Sequence, residues 1–502
     1  MTQEQYALLC NTCDKILSDS NASLATVAIP WLHVIREHPI FLSKYRDLFI
    51  PKEPNYLKTS FIEFKSLVGN FKKILKGVSA LNSDYYANKP LPASVDFIFL
   101  THLITPDHAS ATIDFYYGPI PLELAKMGFS VVIAYVNMTG VSSALLAKEL
   151  PTDTLHRLIF TNTIGISEEI KMVSKVFKER KRLKTLAKFE PYNFLKRVLL
   201  AATRESISPG AIFSLRIGRQ VARLISEMSA KSLITIHEGH SWERLVFANA
   251  REVCSTINCI AYQHAVLFRL QHAIFRPLDK CYLPDQIIAS GAVSFARLSH
   301  KFINSKISIR LGGSVRGTEH PKRKIEQVSN DIKRCIVLPE GIIEECKILY
   351  SFVLLCAALS PRTEFIFRLH PSVTVEKLKY SIGRKSALAP NVFLSTGSLP
   401  EDLVKCDYAL YRGSSSIVQA VSNGLIPIYL SRPDELTIDP LFEIHSQRTA
   451  VSTPKDFLDV INNSKLQNTN QEIIIEYCNK IYSSININTF VDAHNFIINH
   501  QI

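Results

Sequence analysis

At 502 residues the chain exceeds what one ordinary hydrophobic core holds, so two domains plus an appendage are expected. Hydrophobic residues at 47% and charged residues at 21%, with 18 glycines and 24 prolines, exclude a disordered, fibrous or collagen-like chain. A net charge of +13 asks for an anionic partner, and the 10 scattered cysteines, whose one close pair is Cys10 and Cys13, exclude a disulfide framework or a zinc site at recognisable spacing.

The start, TQEQYALLCNTCDKIL, lacks a basic region followed by an apolar one, and no apolar run is long enough to cross a bilayer. A cytoplasmic protein is therefore expected. Residues 1–90 read as a helical extension without alternating strand pattern, turned at Pro30 to Ile35 and at His38-Pro39, and ended by the linker Lys89-Pro90-Leu91-Pro92. From Val95 the pattern becomes strand, helix, strand: VDFIFLTHLI, then GPIPLELAKMGFSVVIAYVN with a stop at Gly128. Further strands are expected at Leu158 to Phe160, Leu233 to Ile236, Cys259 to His264 and within 283–316, giving a first Rossmann-like domain over 95–316.

Part of the positive charge is concentrated in Lys171 to Arg197, KMVSKVFKERKRLKTLAKFEPYNFLKR, where lysines and arginines alternate with Val176, Phe177, Leu183, Leu186, Phe189 and Phe194. Such a segment either rests on anionic lipid head groups or forms a solvated helix face. No RNA- or DNA-binding module accompanies it, so nucleic acid is set aside as a partner.

In open α/β sheets, ligands bind beyond the carboxyl ends of strands. In the first domain that places His237, Glu238, Gly239 and His240 after one strand and Gln263 and His264 after the next. Glu238, followed by a glycine that lets a substrate approach, suits a general base, with His237 the other candidate; Glu243 is better placed to cap the following helix. His240, Gln263 and His264 then face the acceptor or sugar pocket. After a polar linker, Gly317 to Asn330, a second Rossmann-like domain is expected over 331–480, with a C-terminal helix in 481–502. Its strands end in Glu340-Gly341, in Arg368-Leu369-His370-Pro371 and in Gly413-Ser414-Ser415-Ser416, and all three loops flank one crevice. Small residues opening a helix suit a phosphate, and His370 is an additional donor.

Two Rossmann-like domains, an acidic residue followed by Gly at a strand end of the first, and an HP and a later Ser motif in the second resemble bacterial GT-B glycosyltransferases. The match is narrower with sialyltransferase-like and surface-carbohydrate enzymes that use CMP-activated sugars, and it covers about 95–460. The resemblance implies an α/β, GT-B-like fold with the domains facing a cleft, and metal-independent transfer with no cofactor beyond the CMP-sugar donor. His370, Pro371, Arg368 and Gly413 to Ser416 would hold the nucleotide phosphate, Glu340 and Gly341 would lie near cytidine, and Glu238 would be the base. The sequence departs from the sialyltransferase pattern where His237 occupies the first acidic position. The implied reaction moves a sialic-acid-like or other 3-deoxy-ulosonic acid to a surface polysaccharide or lipid-linked glycan, at the inner face of the plasma membrane. A CDP-polyol phosphotransferase of the teichoic-acid type and a catalytically silent scaffold of an envelope assembly complex stay open as alternatives.

Overall fold

A computed structural model describes residues 1–50, 84–317, 332–383, 389–463 and 471–496. The apolar runs of the first domain become β1 (Tyr85–Ala87), β2 (Val95–Leu103), β3 (Val131–Asn137), β4 (His156–Phe160), β5 (Ala230–Ile236), β6 (Asn258–Gln263), β7 (Gln286–Ala289) and β8 (Ser308–Leu311). They form one sheet in the order β1-β4-β3-β2-β5-β6-β7-β8, parallel throughout except for β1, which runs antiparallel to β4. Strands such as β2 and β6 are apolar along most of their length because helices cover both faces. The helices Pro209–Met228 and Ser241–Val253 supply much of that cover.

The second domain contains β9 (Lys333–Leu338), β10 (Thr363–Phe367), β11 (Val392–Leu394), β12 (Tyr408–Tyr411), β13 (Ile426–Leu430) and β14 (Thr449–Val451), in the order β11-β10-β9-β12-β13-β14 and wholly parallel. The fold is thus the expected one: two Rossmann-like domains, GT-B-like, with a helical N-terminal segment. In each sheet the chain reverses direction of growth once, beside β2 in the first and beside β9 in the second, and such reversals open crevices at the carboxyl ends of the strands.

The N-terminal segment differs from an appended cap. Helix Gln3–Leu17 and the turns through Phe49 bury Leu9, Cys13, Val27, Leu32 and Tyr45 in a second core shared with helices Ile166–Phe189 and Asn193–Glu205. It is also tied to the loop after β6: Arg276 donates to the Leu32 carbonyl at 2.7 Å and pairs with Asp14 at 2.9 Å. Tyr85–Ala87, expected to be helical, is an edge strand, too short to show a period of its own. The expected linker at Gly317 to Asn330 falls, beyond Gly317, outside the described residues.

The C-terminal helix Ile487–Asn495 returns to the first domain, where Phe490 and Ala493 enter the core and the Ala493 carbonyl accepts from Asn258 at 2.7 Å. The two chain crossings between the domains are paired, Ser314 N–H donating to the Ser483 carbonyl and Asn486 N–H to that of Gly312, each at 2.9 Å.

Candidate active site

On the second domain, β10, β9 and β12 lie side by side, so the three loops predicted to share a crevice do so. Their proximity is visible in the glycines. A Cβ on Gly413 would stand 1.6 Å from Oε1 of Glu340, and one on Gly341 would stand 2.7 Å from Nδ1 of His370. Each glycine is therefore required by a neighbouring loop. Nδ1 of His370 accepts the backbone N–H of Ser372 at 3.2 Å, which leaves the proton on Nε2 as a donor. Burial, with the charge of Arg316, holds this imidazole below its usual pKa, so it is neutral at pH 7. Ser414 is buried, Ser415 and Ser416 are half-buried, and Ser416 opens the short helix Ser416–Ser422.

Two of the nucleotide-binding assignments change character. Arg368 spends one guanidinium nitrogen on Ser395 Oγ at 3.0 Å, the Gly397 carbonyl at 2.7 Å and Asp402 at 2.7 Å, which makes it a brace of the neighbouring loop. Glu340 is ion-paired: Arg36 of the N-terminal segment lies at 2.5 Å and Nε2 of His38 at 3.3 Å. Burial alone would raise the Glu340 carboxyl, but Arg36 and His38 outweigh it and hold the pKa at about 2.

On the first domain, Glu238 and His240 form a pair, Nε2 to Oε2 at 3.3 Å, and both side chains are partly open to the cleft. His264 approaches the other carboxylate oxygen at 3.7 Å. Burial would raise Glu238, yet the hydrogen bond from His240 and the charges of His264, His240 and Arg36 hold it well below the usual carboxylate range. Burial would lower His240, yet the bond to Glu238 and the charge of Glu243 raise it above its ordinary value. His264, buried and facing Arg316 as well as Glu238, is lowered to about 4 and stays neutral.

His237 does not reach the cleft. It is fully buried, with Nδ1 at 2.7 Å from Glu243, and burial lowers its pKa. Glu243 also accepts the backbone N–H of Glu238 at 3.1 Å and of Gly239 at 2.8 Å, so the His237–Glu243 pair fixes the loop that carries Glu238. Gln263 is likewise withdrawn: it is buried, donating to the Ala265 carbonyl and accepting from Ser290, because it is still the last residue of β6. Gly239 adopts φ +90° and a Cβ there would meet the Ala273 carbonyl carbon at 2.4 Å, so backbone packing rather than substrate approach demands the glycine.

Two cations missing from the sequence reading complete the cleft. Arg316, on the crossing between domains, donates to Ser415 Oγ at 3.2 Å and to the Tyr482 hydroxyl at 3.1 Å, while its charge is felt by both His370 and His264. Arg36 lies over the ring of Phe268, 4.1 Å from its centroid, and its charge is felt by Glu238 on one side and Glu340 on the other. The SVR run could have flagged Arg316, since it follows a strand end; nothing local flags Arg36, whose partner is 304 residues away.

The basic segment forms the helices Ile166–Phe189 and Asn193–Glu205. Met172, Val176, Leu183 and Phe194 face the core, whereas Ile170, Phe177, Phe189 and Tyr192 are exposed among Lys171, Lys175, Lys178, Lys181, Lys184 and Lys188. Arg182 is not part of that surface, being paired with Glu179 at 2.8 Å and Asp19 at 3.0 Å. Among the described residues no helix is long and apolar enough to cross a membrane.

No protein-family model matches the chain, and no curated protein does. Solved structures similar in fold include a glycosyltransferase from Rickettsia africae ESF-5, at 11% identity over 80% of this chain and 99% of that one, TM-score 0.45. A UDP-GlcNAc 2-epimerase from Neisseria meningitidis bound to UDP-GlcNAc matches at 14% over 81% and 99%, TM-score 0.44. MurG from Acinetobacter baumannii matches at 10% over 80% and 99%, TM-score 0.43. Likeness at these levels bears on neither the reaction nor the donor.

Proposed function

We propose that the protein is a glycosyltransferase that moves a sugar from a nucleotide-activated donor to a hydroxyl acceptor across this cleft. The observation that carries the reading is the meeting of three strand-end loops, with His370, Ser414 and Ser415, opposite the Glu238–His240 pair. The donor phosphate rests on His370 Nε2–H, the serine hydroxyls and Arg316; the neutral donors and the arginine's charge stabilise it as it departs. His240, with Nε2–H directed at Glu238, takes the acceptor proton on Nδ1, and the carboxylate stabilises the imidazolium that forms. The acceptor oxygen bonds to the anomeric carbon, the bond from that carbon to the phosphate oxygen breaks, and the nucleotide leaves with the electron pair. This assigns proton transfer to His240 rather than to Glu238, whose carboxylate is held too acidic to be an effective base near neutrality.

The finer reading is a CMP-activated sialic-acid-like or other 3-deoxy-ulosonic acid, delivered to a surface polysaccharide or lipid-linked glycan. A CMP-sugar presents a single phosphodiester, and the phosphate-facing set here is correspondingly small. The exposed lysines and aromatic residues of helix Ile166–Phe189 dock the domain on anionic lipid, so that a membrane-borne acceptor reaches the cleft.

Nucleotide release from a CMP-sialic acid, CDP-glycerol and a UDP-sugar, each with a glycan acceptor, tests the reading. Release of CMP from the CMP-sugar alone supports it. Release from CDP-glycerol alone transfers the assignment to a polyol phosphotransferase, and release of UDP alone corrects the donor. Turnover of none of the three overturns it.

A further inference from the structure

We infer that Arg36 is a donor-site residue held in reserve: Glu340 keeps its guanidinium at the rim of the phosphate site, and an arriving nucleotide phosphate takes it from Glu340. The inference rests on the nucleotide reading of the second domain and adds a ligand group contributed by the N-terminal segment.

Arg36 is poorly explained as a packing residue. Its Nη2 makes a 2.5 Å ion pair with Glu340, while Nη1, although shielded from solvent, has no protein hydrogen bond. A guanidinium offers its donors in a planar fork matched to two oxygens of one phosphate, and here half of that fork is unused. The carboxylate that holds it presses against the Cα of Gly413, the residue immediately before Ser414 and Ser415, so release of the guanidinium needs only a short displacement to meet a group on those serines. The guanidinium also lies over the ring of Phe268 of the first domain, 4.1 Å from its centroid, a cation–π contact that keeps it at the cleft.

Glu340 also keeps its balance without Arg36. His38 Nε2 stands 3.3 Å from Glu340 and 3.7 Å from Glu345, and Nδ1 of the same ring accepts the N–H of Ile40 at 3.2 Å, which fixes the proton on Nε2. Neither Nε2 of His38 nor Oε1 of Glu340 has a hydrogen-bond partner in this arrangement, so the imidazole N–H is the donor at hand for the carboxylate when the arginine leaves. The neighbouring turn is held independently, since Glu37 accepts the Leu270 N–H at 2.7 Å. The segment is thus anchored on both sides of Arg36, and the exchange is a side-chain movement within a fixed backbone.

Reserve and rival make opposite predictions for the two partners. Calorimetric titration with CMP and with UDP should show binding weakened at least tenfold in Arg36→Met and tightened in Glu340→Gln, which removes the competing charge but keeps the shape. Thermal unfolding of each variant confirms that the fold persists. Should the Met variant not fold, Arg36→Lys keeps the charge but not the fork and should weaken binding several-fold. If both substitutions weaken binding alike, Glu340 touches the nucleotide or the pair only supports structure, and the inference is overturned; unchanged binding in Arg36→Met or Arg36→Lys overturns it as well. Wild-type protein that binds neither nucleotide overturns the reading of the site together with the inference, a result distinguishable from failure of the exchange alone.

Discussion

The identity of the proton acceptor is tested by moving the charge that tunes it. His240 and Glu238 stand 3.3 Å apart with both side chains partly solvated, so the fully solvated limit of Coulomb's law gives a cautious lower bound on their coupling. At the dielectric of water that is about 1.3 kcal/mol, or about one pH unit in the titration of His240. The imidazole must be neutral to accept a proton. Because its pKa is raised above the usual 6.5, kcat/KM for nucleotide release should climb with pH and level off only above that value. Glu238→Gln removes the partner that raises it, so the acid limb should move down by about one pH unit, with Glu243 still contributing. The plateau should fall by roughly 10²-fold or more, as positioned proton transfer is impaired. The same variant stabilises the protein less above the carboxylate range, since a carboxyl with depressed pKa contributes stability that is lost only as pH falls through that range. A wild-type acid limb in the carboxylate range, with His240→Gln active, would refute the reasoning and return the role of base to Glu238 itself.

Three further expectations follow from the same geometry. His370→Ala should weaken CMP binding by about 1–3 kcal/mol with the fold intact, as for a lost hydrogen bond to a charged oxygen, and unchanged calorimetry would remove His370 from the site. Glu243→Ala should lower stability by about 3–5 kcal/mol in denaturant titration, because it strands His237 and two backbone N–H groups in the interior, whereas a loss of turnover without a loss of stability would contradict its structural role. Charge reversal at Lys178, Lys181 and Lys184 should reduce co-sedimentation with anionic vesicles, and raised salt should do the same; equal binding to neutral vesicles would leave the helix a solvated face.

Much of the fold was legible because its signals are local. Apolar runs such as VDFIFL and CIVL, closed by Gly or Pro, mark buried parallel strands, and the strand-end rule located the loops at Glu340, His370 and Gly413. The same rule misplaced Gln263 and His237, because it locates a strand end but not which way the last side chain turns. Gln263 points into the sheet and His237 is drawn inward by Glu243, which sits one helical turn beyond the strand. Arg36 was beyond local reasoning, and Arg316, which its place after a strand end could have flagged, still acquires its role only from partners brought near by the fold: Glu340 for the first, Ser415 and Tyr482 for the second. The N-terminal segment read as an appendage for a related reason. Its apolar face has the ordinary spacing of a surface helix, and only the second core shows that the surface it covers is the helical layer of the first domain.

A crystal structure with CMP bound tests the central claim most directly. The phosphate should lie within hydrogen-bond distance of His370 Nε2, Ser415 Oγ and Arg316, with Glu238 and His240 facing it across the cleft. A nucleotide bound anywhere else, with those three groups unengaged, would contradict it.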